Sequence, residues 1–235
     1  MLTKILLTGL AVYIGYLLLG AVTTVILRLT NPLRRACRTG KNLCLTFDDG
    51  IDPRYTPELL DLLSHYHIHA TFFILASTAG KYPELLHRIK AEGHVVGLHS
   101  MAHHNQILEL PHRLFQDFHK SMDLLTKLNA KPTYYRPPWG HVTPLGLWLC
   151  KKYRLKIVLW TVIIGDWSKN ATVKSLIQKL WLQVRGSAVI CLHDGRGSND
   201  APARTISALA AMIPRWKKEG YTFETISEFL EKSTD

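Results

Sequence analysis

The sequence is poor in cysteine. Four cysteines occur in 235 residues, and no two of them have the CxxC spacing of a zinc ribbon or a redox motif. Cys44 and Cys191 lie in apolar runs, where a free thiol behaves as a small core side chain. We therefore expect buried, unpaired thiols rather than a disulfide framework or a zinc knot. The cysteine count alone does not indicate a compartment.

Low-complexity tracts and internal repeats are also missing. Hydrophobic residues make up 47% of the chain and charged residues 20%, which excludes an intrinsically disordered protein. The 29 Lys and Arg residues outnumber the 18 Asp and Glu residues, giving a net charge of +11. Such a charge suits an anionic membrane surface, a wall polymer or nucleic acid. The basic residues are scattered and no recognition motif is present, so we do not expect nucleic-acid binding.

Charge is absent from residues 5–27, a run of 23 residues. As a helix this run would be about 35 Å long, enough to cross the hydrocarbon core of a bilayer. A cleaved signal peptide would have a shorter apolar run with a small-x-small site after it, and a core helix would have a polar face. We predict a membrane anchor and basic linker over 1–40, with one folded domain over 41–235.

The charges that flank this anchor predict its orientation. The amino-terminal side carries Lys4 and the α-amino group. Five basic residues follow the apolar run: Arg28, Arg34, Arg35, Arg38 and Lys41. The positive-inside rule then places the folded domain in the cytoplasm.

Beyond residue 41, short apolar strands alternate with amphipathic helices. The predicted strands are 43–48, 70–75, 95–98, 155–160 and 187–192, with weaker ones near Tyr134 and Tyr221. The predicted helices are 57–66, 83–91, 111–128, 143–152, 172–183, 201–218 and 225–231. Because there is no strong hairpin signal, this alternation favours an α/β fold with parallel strands, as a barrel or a nearly closed sheet. Chemistry is then expected at the carboxyl ends of the strands.

Polar side chains follow the first and third predicted strands. Asp48 and Asp49 end the first, and two adjacent carboxylates repel each other unless a cation or base separates their roles. His99 and His103 follow the third and would face the same way on a helical turn. Alone, these motifs would be a solvated turn and a pair of surface histidines. Together, two imidazoles and one carboxylate indicate a metal site with an open position for water and substrate.

Three more polar clusters follow predicted strands. In the run RPPWG, two prolines hold the backbone extended and fix the direction in which Arg136 projects. An arginine directed at a strand-end carboxylate would keep that carboxylate ionised. Asp166 follows the strand 155–160, and His193 follows 187–192. A carboxylate bonded to a histidine ring fixes its tautomer and makes it a usable general acid. Each cluster is weak evidence alone, but five at equivalent strand ends indicate one site.

These five runs together resemble a known family. TFDDG at 46–50, HSMAH at 99–103, RPPWG at 136–140, GDW at 165–167 and LHD at 192–194 are similar to the ordered motifs of polysaccharide deacetylases, the NodB-homology enzymes of carbohydrate esterase family 4. The resemblance covers roughly residues 41–230. It implies a distorted (β/α)7-type barrel and metal-dependent removal of N-acetyl groups from amino sugars, usually with Zn²⁺.

The resemblance implies roles for the residues at the first three motifs. Asp48 would be the general base, and Arg136 would orient it. Asp49, His99 and His103 would be the metal ligands. An amide carbonyl needs such an activated water and a Lewis acid, so these roles agree with the chemistry.

It also implies roles on the leaving-group side. His193 would protonate the leaving amine, and Asp166 would tune it. The backbone N–H of Trp139 would help to stabilise the oxyanion. Trp167 and Leu192 would line the acetyl pocket.

One departure from the family pattern and several alternatives stay open. The fourth motif often begins with an Asp three residues before Asp166, whereas this chain has Ile163; we expect this to affect the groove rather than catalysis. The substrate would be peptidoglycan, a chitin-like oligosaccharide or a lipid-linked amino sugar. A non-catalytic glycan-binding protein is the rival from another class. We expect a monomer. The resemblance favours the outer face of the membrane and a polymer substrate, whereas the flanking charges favour the cytoplasm and a lipid-linked precursor.

Overall fold

The computed structural model describes residues 1–37 and 40–232. Arg38 of the predicted basic flank and residues 233–235 of the predicted domain lie outside the described residues. The domain is built around one parallel sheet, confirming the predicted fold class. Its strands are β1 Asn42–Asp48, β2 Thr71–Ile74, β3 Val95–Leu98, β4 Tyr134–Tyr135, β5 Lys156–Ile157, β6 Val162–Ile163, β7 Ala188–His193 and β8 Thr222–Phe223.

Helices connect the strands and cover the outside of the sheet. They are α1 Leu2–Leu29, α2 Leu33–Ala36, α3 Thr56–His65, α4 Ala76–Lys81, α5 Pro83–Ala91, α6 Pro111–Lys127, α7 Pro144–Lys152, α8 Val173–Gln183, α9 Ala201–Lys218 and α10 Ile226–Lys232. Apart from α1, α2 and α4, each begins and ends within one residue of a predicted helix. These helices were predictable because their apolar residues recur at the helical period.

The strand order is β5-β4-β3-β2-β1-β7-β6, with β8 paired to the start of β1. The predicted strand 155–160 differs from the structure because it ends at Ile157, on one edge of the sheet. Residues 158–161 then cross to the other edge, where the Thr161 N–H donates to Val189 O at 2.9 Å and β6 begins. Four residues therefore join the two edges, and the sheet is a curled half-barrel.

Side chains alternate across β1 and so separate the site from the main core. Leu43, Leu45 and Phe47 point outward and pack in the large cluster beneath the helices. Cys44 belongs to the smaller cluster inside the curled sheet. Asp48 lies at the carboxyl end of β1, in register with His193 on β7. This register places a carboxylate and an imidazole side by side.

The helix α1 is long and apolar enough to cross a membrane, and most of its surface is exposed. Its second half contacts the domain through residues spaced four apart: Tyr16, Gly20, Thr24 and Arg28. Thr24 Oγ1 donates to Val142 O at 3.0 Å and accepts from Val142 N at 2.8 Å. Gly20 allows the close approach, because a Cβ there would lie 3.1 Å from Thr143 Cγ2. One face of an otherwise apolar helix is thus fitted to the domain.

Candidate active site

Asp48 is paired with Arg136 inside the curled sheet. Arg136 follows β4 and is completely buried, and its Nη1 donates to Asp48 Oδ1 at 2.8 Å and to Thr46 Oγ1 at 2.6 Å. Its remaining donors reach the carbonyls of Val158 and Leu159 at 3.1 and 3.0 Å. Burial acts against ionisation of Asp48, but Arg136, together with the nearby His99 and His193, outweighs burial, and the pKa of Asp48 is lowered. Asp48 is therefore held ionised and in a fixed orientation.

Asp49, His99 and His103 form a group that could hold a metal ion. Asp49 Oδ1 lies 3.5 Å from His99 Nε2 and 3.2 Å from His103 Nε2. This oxygen is buried without a hydrogen-bond partner among the described residues, and burial raises the pKa of Asp49. His99 Nδ1 is 2.7 Å from Arg136 O, so this nitrogen donates and Nε2 keeps its lone pair toward Asp49. Two imidazoles and a carboxylate are a donor set that suits Zn²⁺.

The two histidines converge without the helical turn that their spacing suggested. Residues 99–103 form a loop after β3, with positive φ angles of 83° at Ser100 and 61° at His103. Ser100 Oγ accepts from the His103 N–H at 2.8 Å, and Asp117 on α6 accepts from the Met101 N–H. The prediction of a helical turn was therefore wrong, because side chains satisfy the loop amides. Burial lowers the pKa of His103 to about 3, so its ring is neutral, as a ligand requires.

His193 and Asp166 lie on the opposite side of Asp48. Asp166 is fully buried, and its Oδ1 is 2.9 Å from His193 Nδ1, while Oδ2 accepts from the His193 N–H and from Thr205 Oγ1. Burial alone would lower the pKa of His193, but Asp166, with smaller contributions from Asp48 and Asp49, overcomes burial and raises the pKa to about 9. The imidazole is therefore protonated at neutral pH, and Nε2 is its free donor.

These groups open into a cleft of about 400 Å³, within the range of small-molecule sites. Its lining is Asp48, Asp49, His99, His103, Trp139, Trp160, Ile163, Trp167, Cys191, His193 and residues 196–198. Seven of the ten predicted site residues therefore line this cleft. Arg136 and Asp166 do not line it but bind Asp48 and His193, respectively, from behind. Ile163 also lines the cleft, as expected for a groove residue.

Leu192 does not line the cleft. Side chains alternate along β7, so Leu192 points outward into the main core, where it is fully buried. The placement of Leu192 in an acetyl pocket is corrected accordingly. Its neighbour Cys191 faces the cleft instead, with Sγ donating to Asp48 Oδ2 at 3.3 Å. Counting by twos from His193 would have found this thiol in the sequence.

Two half-exposed tryptophans flank the polar groups. The Trp139 ring centroid is 4.2 Å from that of His103, and the Trp167 ring centroid is 5.0 Å from that of His193. Trp139 has a φ of 55°, a left-handed conformation uncommon for a non-glycine residue. Arg28 of α1 donates to the carbonyl of Trp139 at 2.6 Å. Sequence reasoning missed Trp160 and Arg196, which also line the cleft but lie outside the five motifs.

A curled parallel sheet with this site at its carboxyl edge defines a hydrolase of the NodB type. The sequence profile of the polysaccharide deacetylase family matches residues 35–158, more than half of the chain. The chain belongs to the polysaccharide deacetylase family. The resemblance inferred from the five motifs is therefore confirmed.

Individual relatives agree with this assignment. A peptidoglycan-N-acetylglucosamine deacetylase of Bacillus cereus is 34% identical over 192 residues, covering 81% of this chain and 88% of the relative. A chitooligosaccharide deacetylase of Bradyrhizobium is 30% identical, covering 80% of this chain and 90% of the relative. The crystal structure of a peptidoglycan N-acetylglucosamine deacetylase in complex with 4-naphthalen-1-yl-N-oxidanyl-benzamide superposes with a TM-score of 0.74 and 30% identity, covering 81% of this chain and 88% of that one.

Proposed function

We propose that this chain is a membrane-anchored, metal-dependent hydrolase that removes N-acetyl groups from N-acetylglucosamine-type sugars of a glycan. The observation that carries the proposal is the convergence of an Arg-paired carboxylate, a three-residue ligand group and an Asp-paired histidine on one cleft. The names of the relatives support peptidoglycan or a chitin-like oligosaccharide as the material that presents the sugar.

Asp48 is the proposed general base. Its ionised carboxylate lines the same cleft as the ligand group and His193, where it would accept a proton from an attacking water. Arg136 acts through Asp48: its fixed guanidinium leaves the carboxylate one orientation toward the cleft. The Cys191 thiol, at 3.3 Å from Asp48 Oδ2, contributes a weak second donor.

Asp49, His99 and His103 are the proposed metal ligands. A divalent cation held there, with Zn²⁺ best matched to these donors, would supply Lewis-acid polarisation of the amide carbonyl and a water of lowered pKa. The three ligand atoms lie within 4.8 Å of one another, and without a cation the buried Asp49 Oδ1 would be left unsatisfied. The Trp139 backbone N–H is proposed as a second donor to the oxyanion.

His193 is the proposed acid for the leaving amine. Asp166 binds Nδ1, so Nε2–H is the donor available to the nitrogen of the breaking C–N bond. Trp167 packs against this ring at the entrance. An acetyl group beside His193 would contact Trp167 and Cys191 rather than Leu192.

The domain organisation belongs to the same proposal. Residues 1–40 form a single-pass anchor and linker, and residues 41–235 form the deacetylase domain, acting as a monomer. The long apolar α1 supports the anchor. We place the domain on the outer face, where wall glycans lie, although the basic flank of the anchor argues for the cytoplasm.

The test is acetate release by the full chain in detergent, using N-acetylated chitooligosaccharides and peptidoglycan fragments. We expect release with Zn²⁺, loss after chelation and recovery when the metal is restored. Sugar binding is measured on the same samples. Sugar binding without acetate release in the presence of Zn²⁺ would identify a non-catalytic glycan-binding protein and reject the proposal.

A further inference from the structure

A second cavity adjoins the catalytic cleft at the end of the membrane helix. It has a volume of about 280 Å³ and is lined by Arg28, Asn31, Arg34, Leu159, Trp160 and Ile163. Trp160 and Ile163 also line the catalytic cleft, so these two side chains form a wall common to both cavities. A ligand that extends across this wall would reach from the catalytic cleft into the second cavity.

The chemistry of this second cavity suits an anion. Of the residues that the structure describes, those lining this cavity include Arg28 and Arg34 and no Asp or Glu. Among residues 1–37 and 40–232, no Asp or Glu forms an ion pair with Arg28 or Arg34. One Arg28 nitrogen, Nη2, donates to Trp139 O, which leaves other donors of this guanidinium for a ligand. Paired arginines bind phosphate oxygens well, because their planar donors match the anion's geometry.

Asn31 forms part of the wall of this cavity. Its side chain is buried, with Nδ2 donating to Trp160 O at 3.2 Å and Oδ1 accepting from the Leu33 N–H at 3.2 Å. These bonds tie the segment after α1 to the segment that crosses between the sheet edges. The two arginines are thus held against the cleft by a buried polar link.

The position of the cavity matches the headgroup level of a bilayer. Arg28 lies in the last turn of α1, at the end of the uncharged run, where arginine side chains reach the interface. Gly20 of the same helix approaches Ile107 and Thr143 of the domain. Large apolar side chains close to these two residues in the sequence are exposed, namely Leu108, Leu147 and Trp148. An aromatic and aliphatic surface beside a membrane helix places this side of the domain against the lipid.

Ile163 separates the two cavities and is uncharged. An acidic side chain at this position would lie beside both guanidinium groups and would compete with an anionic ligand. The isoleucine leaves the positive charge of Arg28 and Arg34 free to act on a substrate in the cleft.

We propose that the N-acetylglucosamine-type sugar is presented on a lipid carrier, as a glycan precursor linked through phosphate, with its phosphate bound by Arg28 and Arg34. This rests on the proposed deacetylase function and names the form in which the sugar is presented. The N-acetyl sugar lies across Trp160 and Ile163 in the catalytic cleft, and the lipid chain follows α1. Hydrolysis breaks the amide C–N bond, with water supplying OH to acetate and H to the amine, while the phosphate ester stays intact.

The experiment compares two matched substrates with the full chain in neutral detergent and Zn²⁺. One is the octyl phosphodiester of N-acetylglucosamine, and the other is octyl N-acetylglucosaminide, which lacks the phosphate. We expect the wild-type kcat/KM to be at least about tenfold higher for the phosphodiester, equivalent to about 1.4 kcal/mol. Arg34→Gln should remove most of this preference through a higher KM. Arg113→Gln, at an exposed position on α6, is the control and should keep it.

Two further arms test the source of the phosphate and the role of Ile163. Phosphatidylglycerol added to the micelles should inhibit hydrolysis of the phosphodiester only weakly. An affinity for phosphatidylglycerol equal to that for the octyl phosphodiester would show that the cavity is a general headgroup site and would overturn the proposal. Ile163→Asp should reduce the phosphate preference, whereas the uncharged Ile163→Asn should retain it.

The outcomes separate this inference from the proposed function. Equal wild-type rates on the two octyl substrates, unchanged by Arg34→Gln, would overturn the phosphate site while leaving the deacetylase function intact. Absence of acetate from both substrates and from chitooligosaccharides would instead reject the deacetylase function.

Discussion

Arg136 Nη1 lies 2.8 Å from Asp48 Oδ1, and both side chains are buried. The guanidinium also stacks on Phe73, with its carbon 4.1 Å from the ring centroid. The charge of Asp48 is therefore balanced inside the protein rather than by solvent. Removing one partner leaves the other as a buried, uncompensated charge.

Substitution of Arg136 tests this pairing. Arg136→Met should lower the free energy of unfolding by about 3–5 kcal/mol, because Asp48 loses its partner. The double variant Asp48→Asn with Arg136→Met should recover part of this loss, measured by denaturant unfolding of the full chain in detergent. Losses that add independently in the double variant would contradict the pairing, because coupled residues are not additive.

The pH dependence of activity follows from the pair His193 and Asp166. The folded pKa of His193 is about 9, above the ordinary value near 6.5, and the protonated ring is the proposed acid. Activity should therefore fall as pH rises through about 9. The ring's contribution to stability has the same sign: it is full below pH 6.5 and is lost as pH rises through 9.

Asp166→Asn should move this alkaline limb to lower pH. Without the Asp166 carboxylate, burial lowers the pKa of His193, and the ring loses its proton at a lower pH. The kcat at pH 8 should therefore fall more than the kcat at pH 6. Lys169→Gln is the matched control, since it changes an exposed charge three residues away. An unshifted limb in Asp166→Asn would remove His193 from the role of the acid.

Metal binding is predicted to depend on His99 but not on His104. His99→Ala should reduce bound Zn²⁺ well below one equivalent, because one of the three ligand atoms is lost. His104 is exposed and lies 3.7 Å from carboxylates of Glu109 and Asp117, outside the ligand group. His104→Ala should keep full occupancy by elemental analysis. Full occupancy in both variants would refute the assigned ligand set.

The fit of α1 to the domain is predicted to depend on one hydroxyl. Thr24→Val leaves the buried N–H and C=O of Val142 without their partner, at a cost of about 1–3 kcal/mol. The segment after α1 should then be cut faster by protease. Thr23→Val is the control, because Thr23 Oγ1 donates to Leu19 O within the same helix. Equal cleavage of the two variants would show that this contact does not hold the helix.

Much of this architecture is readable from the sequence. Apolar periodicity predicts most helices within a residue, and the parallel strands place Asp48, His99 and His193 at one edge. These features are local or follow from one topological rule. The four-residue spacing of Tyr16, Gly20, Thr24 and Arg28 was also visible, but an apolar helix gives no indication of which face contacts protein.

What the sequence could not provide depends on long-range packing. The strand 155–160 was predicted as continuous, but residues 158–161 leave the sheet and connect its two edges. Arg136 donates hydrogen bonds to the carbonyls of Val158 and Leu159 in this segment. The loop at 99–103 has no helical turn because Asp117 and Ser100 bind its amides. Both outcomes depend on a side chain outside the segment, Arg136 for residues 158–161 and Asp117 for the loop, which a local pattern does not contain.

Measuring bound Zn²⁺ and acetate release together in the variant Asp48→Asn distinguishes the general base from the metal ligands. We predict Zn²⁺ occupancy equal to that of the wild type, since Asp48 is not a ligand. We also predict a rate at least about a hundredfold lower, since the general base is lost. A variant that keeps both full occupancy and near wild-type acetate release would contradict the role of Asp48 as the general base.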